Sequence, residues 1–243
     1  MALAPASLPR RSFVYRELIQ LGARFEDVNG MAAAMDFGDP KAERTAARKL
    51  AIADCTALPR TGYKGPRALD WLRGQGVAIA DKDNMAYPQA DGALAARLAP
   101  TEALILGPLS GEAGLSARLD GTWSIELQSG AYRVPRADTN CWFRIAGAEA
   151  PAMFTKICGI DLRLHKFSPG AIAQTSVAKL TAIVIRADLG RVPSFHLLTD
   201  SASAGRASHW LSCQRISGLQ YQKKAESLRS KKNRWCSTEI PSN

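Results

Sequence analysis

The sequence predicts an α+β fold built from two related halves, on three observations. Residues 62–72 and 141–158 read alike: a short strand, a glycine, then a helix with an apolar stripe. Aligning Gly65 with Gly147 sets Ala68 on Ala150 and Trp71-Leu72 on Met153-Phe154, so both helices turn matching apolar residues toward a sheet. Each helix is then followed by a glycine-led apolar segment (Gly92 to Ala95, Gly170 to Ala173) and a strand core (Ala103 to Leu106, Ala182 to Ile185). Duplication of one strand-helix-strand unit explains all three. Convergence on a common strand-turn-helix pattern is the competing account.

In chain order, residues 1–12 carry two prolines and two arginines and read as a flexible N-terminus. An apolar element, Phe13 to Leu21, stops at Gly22. Asp39-Pro40 marks a helix start, with the aspartate as cap and proline at the first helical position, and that helix runs to about Leu50. Ala51 to Leu58 alternates as a strand, and 59–65, with Arg60, Tyr63 and Lys64, reads as a loop before the first repeated helix. Asp81 to Asp91 is polar and irregular. Pro100, Gly107-Pro108 and Gly111 bound the strand at Ala103 to Leu106, Gly111 to Leu119 suits a short helix, and Trp123 to Leu127 alternates as a half-exposed strand.

The second half is punctuated more sharply. Ala150, Met153, Phe154 and Ile157 fall at i, i+3, i+4 and i+7, with Pro151 early, Lys156 in the last turn and Gly159 beyond, which predicts a helix to Cys158. Ile183 to Ile185 is a buried-strand core, and the turn from Ala187 to Pro193 returns the chain into Phe195 to Leu198 as its antiparallel partner. Asp200 or Ser201 caps a last helix with Ala207, Trp210 and Leu211 on one face. The domain is therefore expected to span 13–212, with halves at about 51–130 and 140–212, and 213–243 reads as a basic, disordered tail or a weak basic helix.

At 243 residues and 46% hydrophobic content the chain has ample material for a core. No apolar run approaches the roughly 20 residues that span a bilayer, and the opening residues lack the order of a signal peptide, so the expectation is a cytoplasmic protein with no membrane partner. Cys55, Cys141, Cys158, Cys213 and Cys236 are odd in number and widely spaced, which suits reduced thiols rather than a disulfide framework or a zinc site. The net charge is +10, but from Gln214 onward seven cations face two acids, so the tail alone supplies half of it. Tyr221 and Trp235 are the tail's only aromatic rings, too few for base stacking, and nucleic acid is not the expected partner.

Chemistry-bearing motifs are sparse. His165, His196 and His209 lie in a loop, a strand and a helix with no second ligand at metal spacing, so no metal site is expected, and His196 between Phe195 and Leu197 reads as a strand residue on the face away from the core. Neither G-x-G-x-x-G after a strand nor a P-loop is present, and Leu109-Ser110-Gly111 and Ala202-Ser203-Ala204 lack a nucleophile elbow. Asp54, Asp138 and Asp161 are scattered, and solvated or capping roles are expected of them. Trp71, Trp142 and Phe143 sit near sheet faces, available either to the core or to a permanent interface.

Several segments resemble the gamma subunit of heterotetrameric sarcosine oxidase: 140–147 (Asn-Cys-Trp-Phe-Arg-Ile-Ala-Gly), 156–163, His165-Lys166-Phe167, 173–180 and 195–204, together with 53–60 through Trp71-Leu72. The first-half segments also resemble the wider aminomethyltransferase folate-binding class. The resemblance covers most of Phe13 to Leu211 and leaves out the tail.

What it implies is a non-catalytic gamma subunit whose complex oxidatively demethylates sarcosine, or a related N-methyl amino acid, and passes the one-carbon unit to tetrahydrofolate. Its partners are then the alpha, beta and delta subunits, which hold FAD, FMN, NAD and tetrahydrofolate. One departure from the wider class bears on this chain's role. The region matching the aminomethyltransferases' aspartate run has only Asp83, Asn84 and Asp91, so no catalytic residue carries over and no cofactor-binding residue is assigned. The alternative is a free-standing, folate-binding aminomethyltransferase-like protein.

Overall fold

The structure, a computed structural model, describes residues 3–126 and 130–207. Two five-stranded antiparallel sheets pack face to face. The first has the order β6 (Met85–Pro88), β7 (Leu94–Ala99), β8 (Glu102–Leu106), β5 (Arg60–Lys64), β9 (Tyr132–Pro135). The second has the order β11 (Ile172–Val177), β12 (Leu180–Arg186), β13 (Ser194–Asp200), β10 (Asn140–Ala146), β4 (Ala51–Asp54). Within each sheet the path is the same: a strand (β5 or β10), a helix (α3, Ala68–Gly74, or α5, Ala150–Phe154), then three strands.

The fifth strand of each sheet is exchanged. β4 leads into β5 but pairs with β10, and β9 leads into β10 but pairs with β5. Each exchanged strand is entered beside a glycine at positive φ, Gly147 at 121° and Gly65 at 129°. A Cβ on Gly147 would collide with Lys49 O, and one on Gly65 with Gly130 O, the carbonyls that accept from Glu149 N and Arg67 N at 2.9 Å each. Close backbone approach therefore requires glycine at both turns.

Three apolar layers follow from strand alternation. Leu104, Leu106, Ala96 and Leu98 of one sheet meet Trp142, Ile172, Ile185 and Leu198 of the other. Tyr63, Ala95, Ala103 and Ile105 face α3 and α4 (Gly114–Thr122) on one outer side. Cys141, Phe143, Ile145, Val184, Phe195 and Leu197 face the other, under α5, α1 (Tyr15–Leu21) and Phe25 of a small sheet. That sheet has the order β1 (Arg10–Arg11), β3 (Met31–Asp36), β2 (Arg24–Val28). Among the described residues no helix is long and apolar enough to cross a membrane.

Several elements match the sequence reading. Gly22 ends α1 at φ 81°, and α2 (Pro40–Lys49) starts where Asp39 Oδ1 accepts from Ala42 N at 2.9 Å. β12 and β13 pair as expected. Asp200 Oδ1 accepts from Ala202 N at 2.7 Å to open a last helical turn, while Trp210, Leu211, His209 and the basic tail lie outside the described residues.

Others differ. The expected loop at 59–65 contains strand β5, with no apolar alternation to announce it, because the hydroxyls of Thr61 and Tyr63 both donate to Asp120 Oδ1 of α4 at 2.8 Å. Ala51 to Leu58 is a strand only as far as Asp54, and Asp81 to Asp91 contains β6. Trp123 ends α4 and donates its indole N–H to Ala131 O at 2.8 Å, and no strand follows at residues 124–126. Helix α5 ends at Phe154 instead of Cys158, since Lys156 N and Ile157 N donate three residues back and Cys158 bridges to Val177. Residues 3–12 carry structure where a flexible end was read: Leu3 and Leu8 pack on the core, β1 adds parallel to β3, and Ser12 is buried.

Candidate functional site

Where β4 passes into β5 and β9 into β10, the two connections meet at Arg60. Its guanidinium donates to five carbonyls: Nε to Arg136 O (3.1 Å), Nη1 to Thr56 O (2.7 Å) and Leu58 O (3.0 Å), Nη2 to Ala137 O (2.5 Å) and Asn140 O (2.6 Å). All five of its N–H groups are thereby used. Burial lowers its pKa to about 10, against the opposing pull of Asp54. Asp54, at the end of β4, accepts from the Ser12 hydroxyl and from Thr56 N at 3.0 Å, and burial raises its pKa in spite of those bonds.

A second polar node lies between the sheets. Trp142 Nε1 donates to His196 Nδ1 at 3.0 Å, which leaves the proton of a neutral imidazole on Nε2. Arg144 Nη1 stands 3.5 Å from that Nε2, while its Nε donates to Ser194 Oγ (2.7 Å) and its Nη2 to Ala187 O (2.7 Å). Burial, then the charge of Arg144, lowers the His196 pKa to about 3. A neutral, doubly hemmed imidazole of this kind cannot serve as a base near neutral pH. His196 is thus inside the fold, not on a solvent face, because both faces of its sheet are covered.

The other residues singled out in the sequence are also engaged. Asp138 pairs with Arg10 at 2.7 Å and Asp161 with Arg163 at 2.6 Å, both on the surface, where His165 also lies. Asp83 Oδ1 accepts from Arg97 Nε at 2.6 Å, Asn84 Oδ1 from Gln174 Nε2 at 2.8 Å, and Asp91 Oδ2 from Leu115 N at 3.0 Å, at the start of α4. Burial raises the thiols of Cys55 and Cys141 to about 12, which makes them poor nucleophiles. Trp142 and Phe143 are buried and offer nothing to a partner, and Trp71 packs on Tyr63 with ring centroids 4.6 Å apart and planes tilted by 46°. No cluster of three potential metal ligands occurs among the described residues.

One groove of about 310 Å³ opens between α2, the end of β3 and the free edge of β4. Sequence reasoning missed it because its walls come from elements that only tertiary packing brings together. Three acids line it, and each is committed: Asp36 to Arg24, Glu43 to Phe37 N (2.8 Å) and Asp39 N (3.3 Å), Asp54 to Ser12 and Thr56. Each carboxylate that lines the groove is thus already held by a bond from within the fold.

No protein-family model and no curated protein matches the chain in sequence. Solved structures do match in fold. A chain of the heterotetrameric sarcosine oxidase from Corynebacterium sp. U-96, in complex with pyrrole 2-carboxylate, is similar at 16% identity and a TM-score of 0.57 over 76% of this chain and 90% of that one. The glycine cleavage system aminomethyltransferase T from Bartonella henselae is similar at 13% identity and a TM-score of 0.67 over 86% of this chain, which spans 58% of the length of that enzyme. The fold of this chain is accordingly an aminomethyltransferase-type α+β fold.

Proposed function

We propose that the chain is a non-catalytic, gamma-type subunit of a sarcosine oxidase-like complex that oxidatively demethylates sarcosine or a related N-methyl amino acid and passes the one-carbon unit to tetrahydrofolate. On this reading alpha, beta and delta subunits hold FAD, FMN, NAD and tetrahydrofolate, residues 13–212 form the assembling domain, and its two halves descend from one duplicated unit. The observation that supports it is that each carboxylate lining the groove already accepts a bond from within the fold, which speaks against a catalytic acid there. The extents of the structural matches support it too: the match takes in 90% of the oxidase chain but 58% of the aminomethyltransferase.

The test is to purify the chain alone and in co-expression with flavin-binding and folate-domain subunits. The lone chain is expected to have no flavin absorbance and no sarcosine turnover, and activity is expected only in the assembled complex. Turnover by the lone chain would sink the proposal. The groove volume, at the lower end of small-molecule sites, favours a second reading as a free-standing folate-binding protein. Tight calorimetric binding of tetrahydrofolate by the isolated chain would select that reading.

A further inference from the structure

An asparagine at the tip of the β2–β3 hairpin ties three segments together. Asn29 is exposed and turns the chain with Gly30, at φ 55° and 74°. Its carboxamide nitrogen donates to Gly111 O at 3.0 Å and to Ala57 O at 3.3 Å. The first carbonyl lies just before α4, which packs on the first sheet, and the second lies in the connection from β4 to β5. The small sheet covers the outer side of the second sheet through Phe25 and Ala32, so Asn29 carries it across to the first.

Asn29 is also the one asparagine of the chain that is followed by glycine; Asn84 and Asn140 precede Met85 and Cys141. Glycine has no side chain to hinder its own amide nitrogen, which makes this dipeptide the most open to deamidation. The Gly30 nitrogen attacks Asn29 Cγ, the bond from Cγ to the carboxamide nitrogen breaks, and ammonia leaves with the proton that Gly30 gives up. Water then opens the cyclic imide at either carbonyl, which yields aspartate or isoaspartate. In the closed tip both reacting groups are occupied: Gly30 N donates to Asp27 Oδ1 at 2.8 Å, and the carboxamide is held by its two carbonyls. Attack therefore waits on opening of the tip, and exposed turns open at little cost.

We propose that Asn29 is a deamidation site whose conversion releases the tip of the small sheet irreversibly. The reaction occurs while the tip is open, and its product does not fasten the tip again. A carboxylate donates no hydrogen bond at neutral pH, so the two carbonyl oxygens that accepted from the carboxamide would face a negative charge instead. The carboxylate of Asp27, which reaches Gly30 N, adds a like charge beside it. Isoaspartate also lengthens the backbone by one carbon, which a two-residue turn between paired Val28 and Met31 does not accommodate. The inference goes beyond the oxidase reading and does not depend on it.

The test is to incubate the full chain at mildly alkaline pH, folded and in urea, and to map its peptides by mass. A gain of one dalton is expected at Asn29, as aspartate and isoaspartate, with Asn84 and Asn140 unchanged. The folded chain should convert at least threefold more slowly than the chain in urea. Asp27→Ala, which frees the Gly30 N–H, should narrow that gap by speeding the folded chain alone. Amide exchange of the β2–β3 hairpin should quicken at least threefold in the converted protein and in Asn29→Asp, while Ile105 and Val184 keep their protection. The proposal is overturned if the folded chain shows no conversion by the time the chain in urea has converted fully, or if both convert at the same rate. It is equally overturned if Asn29→Asp leaves exchange in the hairpin unchanged, since the carboxamide would then not be what holds the tip.

Discussion

Arg97 and Arg186 hold matching places on the outer faces of the two sheets. Arg97 lies opposite Ala103 and Arg186 opposite Phe195, and these in turn lie opposite Tyr63 and Ile145, each two residues before the glycine that ends its strand. Both guanidiniums tie down the segment between helix and hairpin. Arg97 Nη1 donates to Ala80 O and Asp81 Oδ1, at 2.9 Å each, and Arg186 Nη1 donates to Leu164 O (2.9 Å) and Phe167 O (2.5 Å). Arg97 also pairs with a second acid, Asp83 at 2.6 Å, and Arg186 with one acid, Asp188 at 2.7 Å.

The two differ in what their loss would strand. The side chain of Asp81 is 88% exposed, whereas that of Asp188 is 21% exposed. Although burial opposes it, the bond from Arg186 holds the Asp188 carboxyl below its usual range. Arg186→Met is therefore expected to cost about 2–3 kcal/mol, since it strands a part-buried carboxylate and two carbonyls, and Arg97→Met about 1–2 kcal/mol because water replaces much of its bonding. Urea unfolding of both variants decides it, and equal losses would count against the assignment.

His196 predicts an acid-side loss of stability. Its folded pKa of about 3 lies below the roughly 6.5 of an unfolded histidine, so between these values the unfolded chain binds the additional proton. Stability should fall as pH drops from about 6.5 toward 3. Asp54 acts in the opposite sense, since its raised pKa makes the folded chain hold a proton that an unfolded carboxylate has released. His196→Gln should flatten the acid limb by on the order of 4 kcal/mol between neutral pH and pH 3. Parallel curves for variant and parent would sink the idea.

What the sequence disclosed and what it hid follow from where each signal resides. Helix α2 was legible because its start depends on Asp39 and Pro40 alone. The β2–β3 hairpin, absent from the sequence reading, carries an equally local signal: Asn29 and Gly30 turn at φ 55° and 74° between paired Val28 and Met31, and an Asn-Gly pair favours that turn. β5 was not legible, because Thr61 and Tyr63 are buried only by virtue of Asp120, almost sixty residues on. His196 misled for a related reason: one polar residue between two apolar ones looks the same whether its face meets water or a second sheet. The groove needed β3, α2 and β4 assembled before it existed at all.

The β11–β12 hairpin stores strain that can be relieved. Ala178 and Lys179 form its two-residue turn at φ 51° and 63°, a conformation in which each side chain costs roughly 1 kcal/mol and which glycine adopts freely. Lys179→Gly is expected to stabilise the chain by about 1 kcal/mol, or a rise of about 2–4 °C in Tm. An unchanged or lowered Tm would mean that the lysine side chain makes a compensating contact.

The exchanged edge strands make a sharper prediction at Gly147. Alanine there must adopt a φ of 121° and place its Cβ against Lys49 O, just where the chain enters β4. The carbonyls of Arg48 and Lys49 accept from Ala148 N (3.0 Å) and Glu149 N (2.9 Å), so displacing that strand entry breaks both bonds. Gly147→Ala should therefore cost at least about 2–3 kcal/mol, from backbone strain and lost hydrogen bonds together. Gly74→Ala provides the opposite control. It lies at the end of α3 with nothing within 4 Å of a new Cβ and no positive φ, so the same substitution should gain about 0.5–1 kcal/mol there. Amide exchange separates local from global effects: in Gly147→Ala protection should fall first at Ala51 and Ala53, which pair with Ala146 and Arg144, while Tyr63 in the other sheet keeps its protection. Uniform loss across both sheets would mean that strand exchange does not confine the damage to one of them.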